Sequence, residues 1–161
     1  MKKFILIVAA ALAFASVACA QPRAVGVRFG YGYEAQYQHY LGNITFLDVT
    51  TGLDAAGDNG IKATGTFNWE LFSPSWGGNG TWLWYAGPGA TIGYVNCGTK
   101  GNDPGFMIGL VAQVGCEYTF NFPMSIAADL RPVIGYHAGD DHFYRAGMMG
   151  LLPTFSVKYR F

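Results

Sequence analysis

Pro153-Thr-Phe-Ser-Val-Lys-Tyr-Arg-Phe161 alternates without a fault: Phe155, Val157, Tyr159 and Phe161 share one parity, and Thr154, Ser156, Lys158 and Arg160 share the other. That is the period of a β-strand with one apolar and one polar, charged face. The same alternation recurs upstream. Ile61, Ala63, Phe67, Trp69 and Leu71 alternate with Lys62, Thr64, Thr66, Asn68 and Glu70. Ile108, Leu110, Ala112, Val114, Cys116 and Tyr118 stand against Gln113, Glu117 and Thr119.

Taking the chain in order, the alternation predicts strands near 24–31, 34–41, 44–51, 61–71, 82–94, 106–120, 124–136 and 153–161. Gly42-Asn43 and Asn121-Phe122-Pro123 read as tight turns, and 52–60, 96–105 and 137–149 as longer loops. Two connections depart from a simple short-turn, long-loop rhythm. Gly32-Tyr33 is brief, and Ser73 to Gly80 is extended. Pro88 and Pro132 fall inside strands and cannot donate ladder hydrogen bonds, so local bulges are expected at both.

Composition selects the medium. Only 12% of the residues are charged, about half the share of a soluble domain, while 51% are hydrophobic. The one run apolar enough to resemble a spanning helix lies at the N-terminus, and it reads as a signal peptide over 1–20. Lys2 and Lys3 form its basic region, Phe4 to Val17 its apolar core, and Ala18-Cys-Ala20 its cleavage site. A weak lipobox, Ser16-Val-Ala-Cys19, leaves open a lipidated Cys19. Low charge without spanning helices leaves the closed β-barrel as the membrane solution, because only helices and closed barrels satisfy every backbone group in lipid. The expectation is therefore all-β: an eight-stranded antiparallel up-and-down transmembrane barrel over 21–161. With both termini on the periplasmic side, the tight turns fall there and the longer loops outside.

Two features assign the faces. Aromatics on the apolar parity gather at strand ends: Tyr31, Tyr94 and Tyr136 toward one rim, and Trp69, Trp82, Trp84, Tyr118, Tyr159 and Phe161 toward the other. Charges on the opposite parity balance, with Arg28, Lys62, Arg131, Lys158 and Arg160 matching Glu34, Asp48, Glu70, Glu117 and Asp129. An eight-stranded barrel has an interior just wide enough for side chains to fill, so charges there must pair. The expected lumen is thus a plug of ion pairs.

Several stretches resemble the small outer-membrane β-barrel domain family of Gram-negative bacteria, an eight-stranded, porin-superfamily-like group. They are Tyr33-Glu-Ala-Gln-Tyr-Gln-His39, Trp84-Tyr-Ala-Gly-Pro-Gly-Ala-Thr-Ile-Gly-Tyr94, Gly115-Cys-Glu-Tyr-Thr-Phe-Asn-Phe-Pro123, Asp129-Leu-Arg-Pro132 and Lys158-Tyr-Arg-Phe161. The last of these is similar to the C-terminal assembly signal of such barrels, with Phe155, Val157, Tyr159 and Phe161 as its apolar face. The resemblance implies an exported cell-envelope protein of the bacterial outer membrane. Its implied partners are outer-membrane lipid and the barrel-assembly machinery. It implies no catalytic signature, and a surface ligand stays unnamed.

The residues with chemical potential argue the same way. Asp140-x-His142, with His137 nearby, is the richest stretch, but no second acidic pair accompanies it; Asp54 and Asp58 are four apart in another loop. Ser73, Ser75, Ser125 and Ser156 all fall toward the periplasmic half, away from an outer-rim histidine. Asp140, Asp141 and His142 are too few for a convincing cation site. His39 reads as interfacial. Gly87 to Gly93 lacks the Lys-Ser/Thr of a phosphate loop, and its glycines leave lumen room for Tyr85 and the charged chains opposite. Cys97 and Cys116 sit near the tip and base of one hairpin, too far apart for a disulfide, and read as free thiols with Cys116 facing lipid. Beyond the signal peptide the chain carries eight basic and ten acidic residues, which offers nothing to nucleic acid. The expectation is a barrel without cofactor, metal or catalytic residues, structural or surface-binding in role. The alternatives are an enzyme acting on lipid or peptide through the last outer loop, and a narrow pore.

Overall fold

Alternation of parity becomes a wall with two chemistries. The computed structural model describes residues 22–30, 32–54, 60–76, 78–96, 104–138, 142–145 and 153–161. Its strands are β1 (Arg23–Phe29), β2 (Gly32–Tyr40), β3 (Thr45–Asp54), β4 (Gly60–Phe72), β5 (Gly80–Asn96), β6 (Pro104–Phe120), β7 (Met124–Leu130), β8 (Val133–His137), β9 (His142–Arg145) and β10 (Thr154–Arg160). Neighbours in sequence pair antiparallel from β1 to β6. The sheet then continues through β7 and β8 on β6, with β10 on β7 and β9 on β8. β10 returns to β1, and the barrel closes with eight staves.

The register sets the shape. From Val27, one row passes through Ala35, Thr51, Ala63 and Ile92 to Ile108. The other way, it passes through Val157 and Ile126 to Tyr118, ten residues further along the same strand. A shear of this size on eight staves tilts the strands by roughly 40°. At the seam, the backbone of Arg23 and Phe161 exchange two hydrogen bonds of 3.1 and 2.8 Å, so Phe161 completes the closure.

The prolines act differently from the expected bulges. The register between β6 and its partner is the same before and after Arg131-Pro132, which merely separates β7 from β8. The Pro132 carbonyl still accepts from the Ala112 amide at 3.1 Å. At Pro88 the pairing with β4 lapses between Thr66 and Trp69 and resumes in register, while pairing with β6 continues. A missing donor costs one rung, and the tight pairing on the other side holds the strand straight. The register shift in this wall lies instead between Glu70 and Phe72.

Two loop readings also change. The stretch expected as the last loop contains β9, and His137 belongs to β8 with its side chain 2% exposed. Asp140, Asp141, Cys97 and Asp58 lie outside the described residues, as do the side chains of Asp54 and His142. The extended β4–β5 connection is tied back to the wall: Ser73 Oγ donates to the Trp82 carbonyl at 2.5 Å, and the Trp76 ring meets Trp82 at 5.9 Å. Gly78 takes the turn at φ 133°, a conformation L-side chains rarely adopt.

The wall is inverted relative to a soluble protein. The lumen side carries Arg28, Asp48, Glu117, Asp129, Arg131 and Lys158, all buried, while Leu110 and Tyr33 are 73% and 69% exposed on the outside. Phe155, Val157, Tyr159 and Phe161 are all exposed there. Tyr94 and Tyr136 are exposed near the loop end. At the turn end, rings meet in a chain from Trp82 through Tyr118 and Phe120 to Phe122, each step 4.9 Å. His39 stacks on Tyr37 beside that end at 6.2 Å, and Cys116 is free and half-buried on the outer face.

Filling so narrow a lumen requires gaps in the wall. Tyr85 points inward and is buried, and the space its hydroxyl occupies exists because residue 115 is glycine. A Cβ there would lie 2.5 Å from Asp129 Cβ, 2.7 Å from Tyr85 Oη and 2.8 Å from the Ala128 carbonyl. Gly115→Ala is therefore expected to destabilise the barrel by about 1–3 kcal/mol through overpacking, read as a lowered urea midpoint. An unchanged midpoint would show that the lumen has slack.

Candidate functional site in the barrel lumen

Asp48, on β3, is the hub. Its Oδ2 accepts from Arg28 Nη2 at 3.0 Å, Arg131 Nη2 at 3.1 Å, Gln36 Nε2 at 2.9 Å and Gln113 Nε2 at 3.3 Å. Gln36 Nε2 also reaches Oδ1 at 2.9 Å. These donors come from β1, β2, β6 and the β7–β8 break, so one carboxylate ties together staves from all around the barrel.

Asp129 is a second acceptor for the same guanidiniums. Arg28 Nη2 lies 3.1 Å from its Oδ2 and Arg131 Nε 3.4 Å from its Oδ1. Thr154 Oγ1 donates to Oδ1 at 2.9 Å and Tyr85 Oη to Oδ2 at 3.3 Å. Towards the loop end, Arg131 Nη1 meets Glu34 at 3.5 Å, and Glu34 meets Lys62 at 3.7 Å. Glu34 and Lys62 face each other across Gly52, whose missing side chain leaves the path between them open. Three cations and three anions therefore share one connected cluster.

Towards the turn end, Lys158 Nζ binds Glu117 at 2.5 Å and Gln38 Oε1 at 2.8 Å. Below them, Arg160 Nη1 donates to Thr119 at 2.8 Å, and its guanidinium lies 5.8 Å from the centre of the Tyr40 ring. The Tyr40 hydroxyl lies close to Glu70. Tyr40, Phe46 and Tyr85 pack into an aromatic floor, the first pair tilted with centroids 5.4 Å apart and the second edge-to-face at 5.2 Å. Arg28, Glu34, Asp48, Lys62, Asp129 and Arg131 thus form one group, Glu117 and Lys158 a second, and Glu70 and Arg160 flank the floor.

Sequence reading missed the neutral matrix. Gln113 Oε1 accepts from Thr66, from Asn68 Nδ2 at 3.3 Å and from Arg131 Nη2 at 3.4 Å, so its amide links the hub to β4. Thr50 accepts from Arg131 Nη1 at 3.1 Å, and Thr64 donates to Thr91 at 2.9 Å. The signal available was parity: Thr64, Thr66, Asn68, Thr91 and Gln113 each sit between apolar or glycine neighbours on their strands, and Thr50 shares the parity of Asp48. His137 Nε2 lies 3.1 Å from the Val95 carbonyl in the loop-side lumen.

Chemically, the arrangement neutralises and immobilises charge. Asp48 and Asp129 each accept from several fixed donors, which holds both carboxylates in place. No family model matches the chain, and neither the curated proteins nor the solved structures compared with it offer a match.

Proposed function

We propose that this protein is an exported, non-catalytic barrel of the bacterial outer membrane, sealed along its axis, that serves a structural or surface-binding role. The observation that carries the reading is the inversion: ion pairs buried at 0–2% exposure within a wall whose outward side is apolar and aromatic. In water, such an outer face would lose the free energy that burial of apolar surface supplies, whereas in a bilayer it meets hydrocarbon. The N-terminal run of the sequence supports export, and the surface role falls to the connections at the loop end.

Sealing has a direct test. Opening a water path requires separating Arg28 and Arg131 from Asp48 and Asp129, at several kcal/mol for each ion left without a partner. Planar-bilayer recordings of the purified protein are expected to show no stable open level. Porin-sized ohmic conductance would refute the plug and favour a pore. Fractionation tests the location: the protein should follow the outer membrane and require detergent for release. Recovery as a soluble periplasmic protein would overturn the reading.

A further inference from the structure

The barrel wall is twice as tall on one side as on the other. β5 and β6 each have 17 residues, whereas β1 has 7 and β2 has 9. At the tilt set by the shear, each residue rises roughly 2.5 Å along the axis, which makes the β5–β6 face about 40 Å tall and the β1–β2 face about 20 Å. The sheet order places these faces opposite each other. The apolar band is more uneven still. Every outward position of β6 from Phe106 to Phe120 is apolar, aromatic or the Cys116 thiol, a band of roughly 35 Å. Among the described residues of β1 the band is Val25, Val27 and Phe29, roughly 10 Å, and on β2 it runs from Tyr33 through Ala35 and Tyr37, past His39, to Leu41, roughly 20 Å. Among the described residues, nothing continues the wall above the β1–β2 tip.

From these lengths we infer that the β1–β2 face thins the bilayer beside it, so that the lipids packed there form a locally shortened membrane. The inference rests on the membrane reading above. An apolar band of about 25 Å is usual for outer-membrane barrels, and this one exceeds it on one side and falls short of it on the other. A short apolar stretch is met by thinning the bilayer or by tilting. Tilt does not serve here, because the mismatch is confined to the loop end: Phe106 stands roughly 15 Å above Phe29, whereas Tyr118 lies within roughly 5 Å of the level of Val25. Tilting lowers both ends of the tall face together, so levelling its loop end would carry its turn end out of level by roughly the same amount.

The pairing supplies the measuring points. Tyr33, Leu53, Ile61, Tyr94 and Phe106 lie on one continuous row. Along such a row each step from β2 towards β6 climbs about 3 Å, so Phe106 stands roughly 12 Å higher on the axis than Tyr33. Both are exposed on the outer wall, at the loop-side end of the apolar band.

The test uses single nitroxide labels on the full-length protein with its native cysteines replaced by serine, in bilayers of long-chain phosphatidylcholine. Labels are placed by Tyr33→Cys, Leu53→Cys, Tyr94→Cys and Phe106→Cys, with Val25→Cys and Tyr118→Cys on the turn side. Depth is read from oxygen against nickel-chelate accessibility. Four loop-side positions spread the risk that one label disturbs folding. The expected result is that all four report nearly the same depth below the lipid–water interface, and that the turn-side pair stays within roughly 5 Å. Depths climbing by about 3 Å per strand would mean a flat bilayer, and would overturn the inference while leaving the membrane reading intact. Level loop-side depths with a turn-side pair diverging by roughly 15 Å would mean tilt, and would also overturn it. Labels that meet no lipid at any position would overturn the membrane reading and the inference together.

Discussion

Asp48→Ala is expected to cost about 3–5 kcal/mol, the range for removing one partner of a buried ion pair. The loss is large because Asp48 serves two guanidiniums. Among the described residues, Arg28 keeps Asp129 as its ion-pair partner, and Arg131 keeps Asp129 and the more exposed Glu34. Gln36 and Gln113 lose their shared acceptor at the same time. The readout is the urea midpoint of the barrel in detergent or bilayer, with the temperature at which its compact gel band is lost as a second measure. Asp48→Asn retains the shape and an acceptor oxygen and should fall between the parent and the alanine variant. A comparison at the second group isolates the cause. Lys158→Ala should be severe, because Glu117 stays buried at 1% exposure without its cation. Replacing both, as Lys158→Met with Glu117→Leu, should recover most of the loss, since hydrophobic pairs of similar volume often substitute for buried ion pairs without penalty. If Asp48→Ala left the midpoint unchanged, the cluster would be an incidental feature of the lumen.

The neighbouring residue carries the opposite expectation. Val49 faces outward, halfway along β3, and is partly exposed. On a wall facing lipid, Val49→Arg should cost about 2–4 kcal/mol, while Leu53→Arg, near the loop-side end of the same strand, should cost about 0–1 kcal/mol. On a water-facing wall, both changes would replace exposed apolar surface with charge and leave stability nearly unchanged. The depth dependence is therefore the measurement: two folding midpoints in bilayers, compared with the parent. Equal and small effects at both positions would remove the basis for a membrane-spanning wall.

Parity along each strand is a local property, and so the sequence alone determined the staves of the barrel, β9 excepted, and that Arg28, Asp48, Glu117, Asp129, Arg131 and Lys158 all lie on the face opposite the apolar one. Successive side chains alternate sides whatever the strand pairs with. Partner choice is different in kind. Sliding one strand past its neighbour by two residues preserves every inward and outward assignment while changing every contact across the lumen. Only the closed register, with its ten-residue offset between Ile108 and Tyr118, brings Arg28 and Arg131 onto one carboxylate and sets Gly52 between Glu34 and Lys62. The prolines illustrate the same division. Pro88 and Pro132 announced a missing donor, but whether that absence becomes a bulge depends on the strand opposite, and in both places β6 keeps the register. Counting charges of each sign was possible from the chain. Their grouping, and the unequal height of the wall around them, follow from strand lengths and shear, which are fixed only when the first strand meets the last.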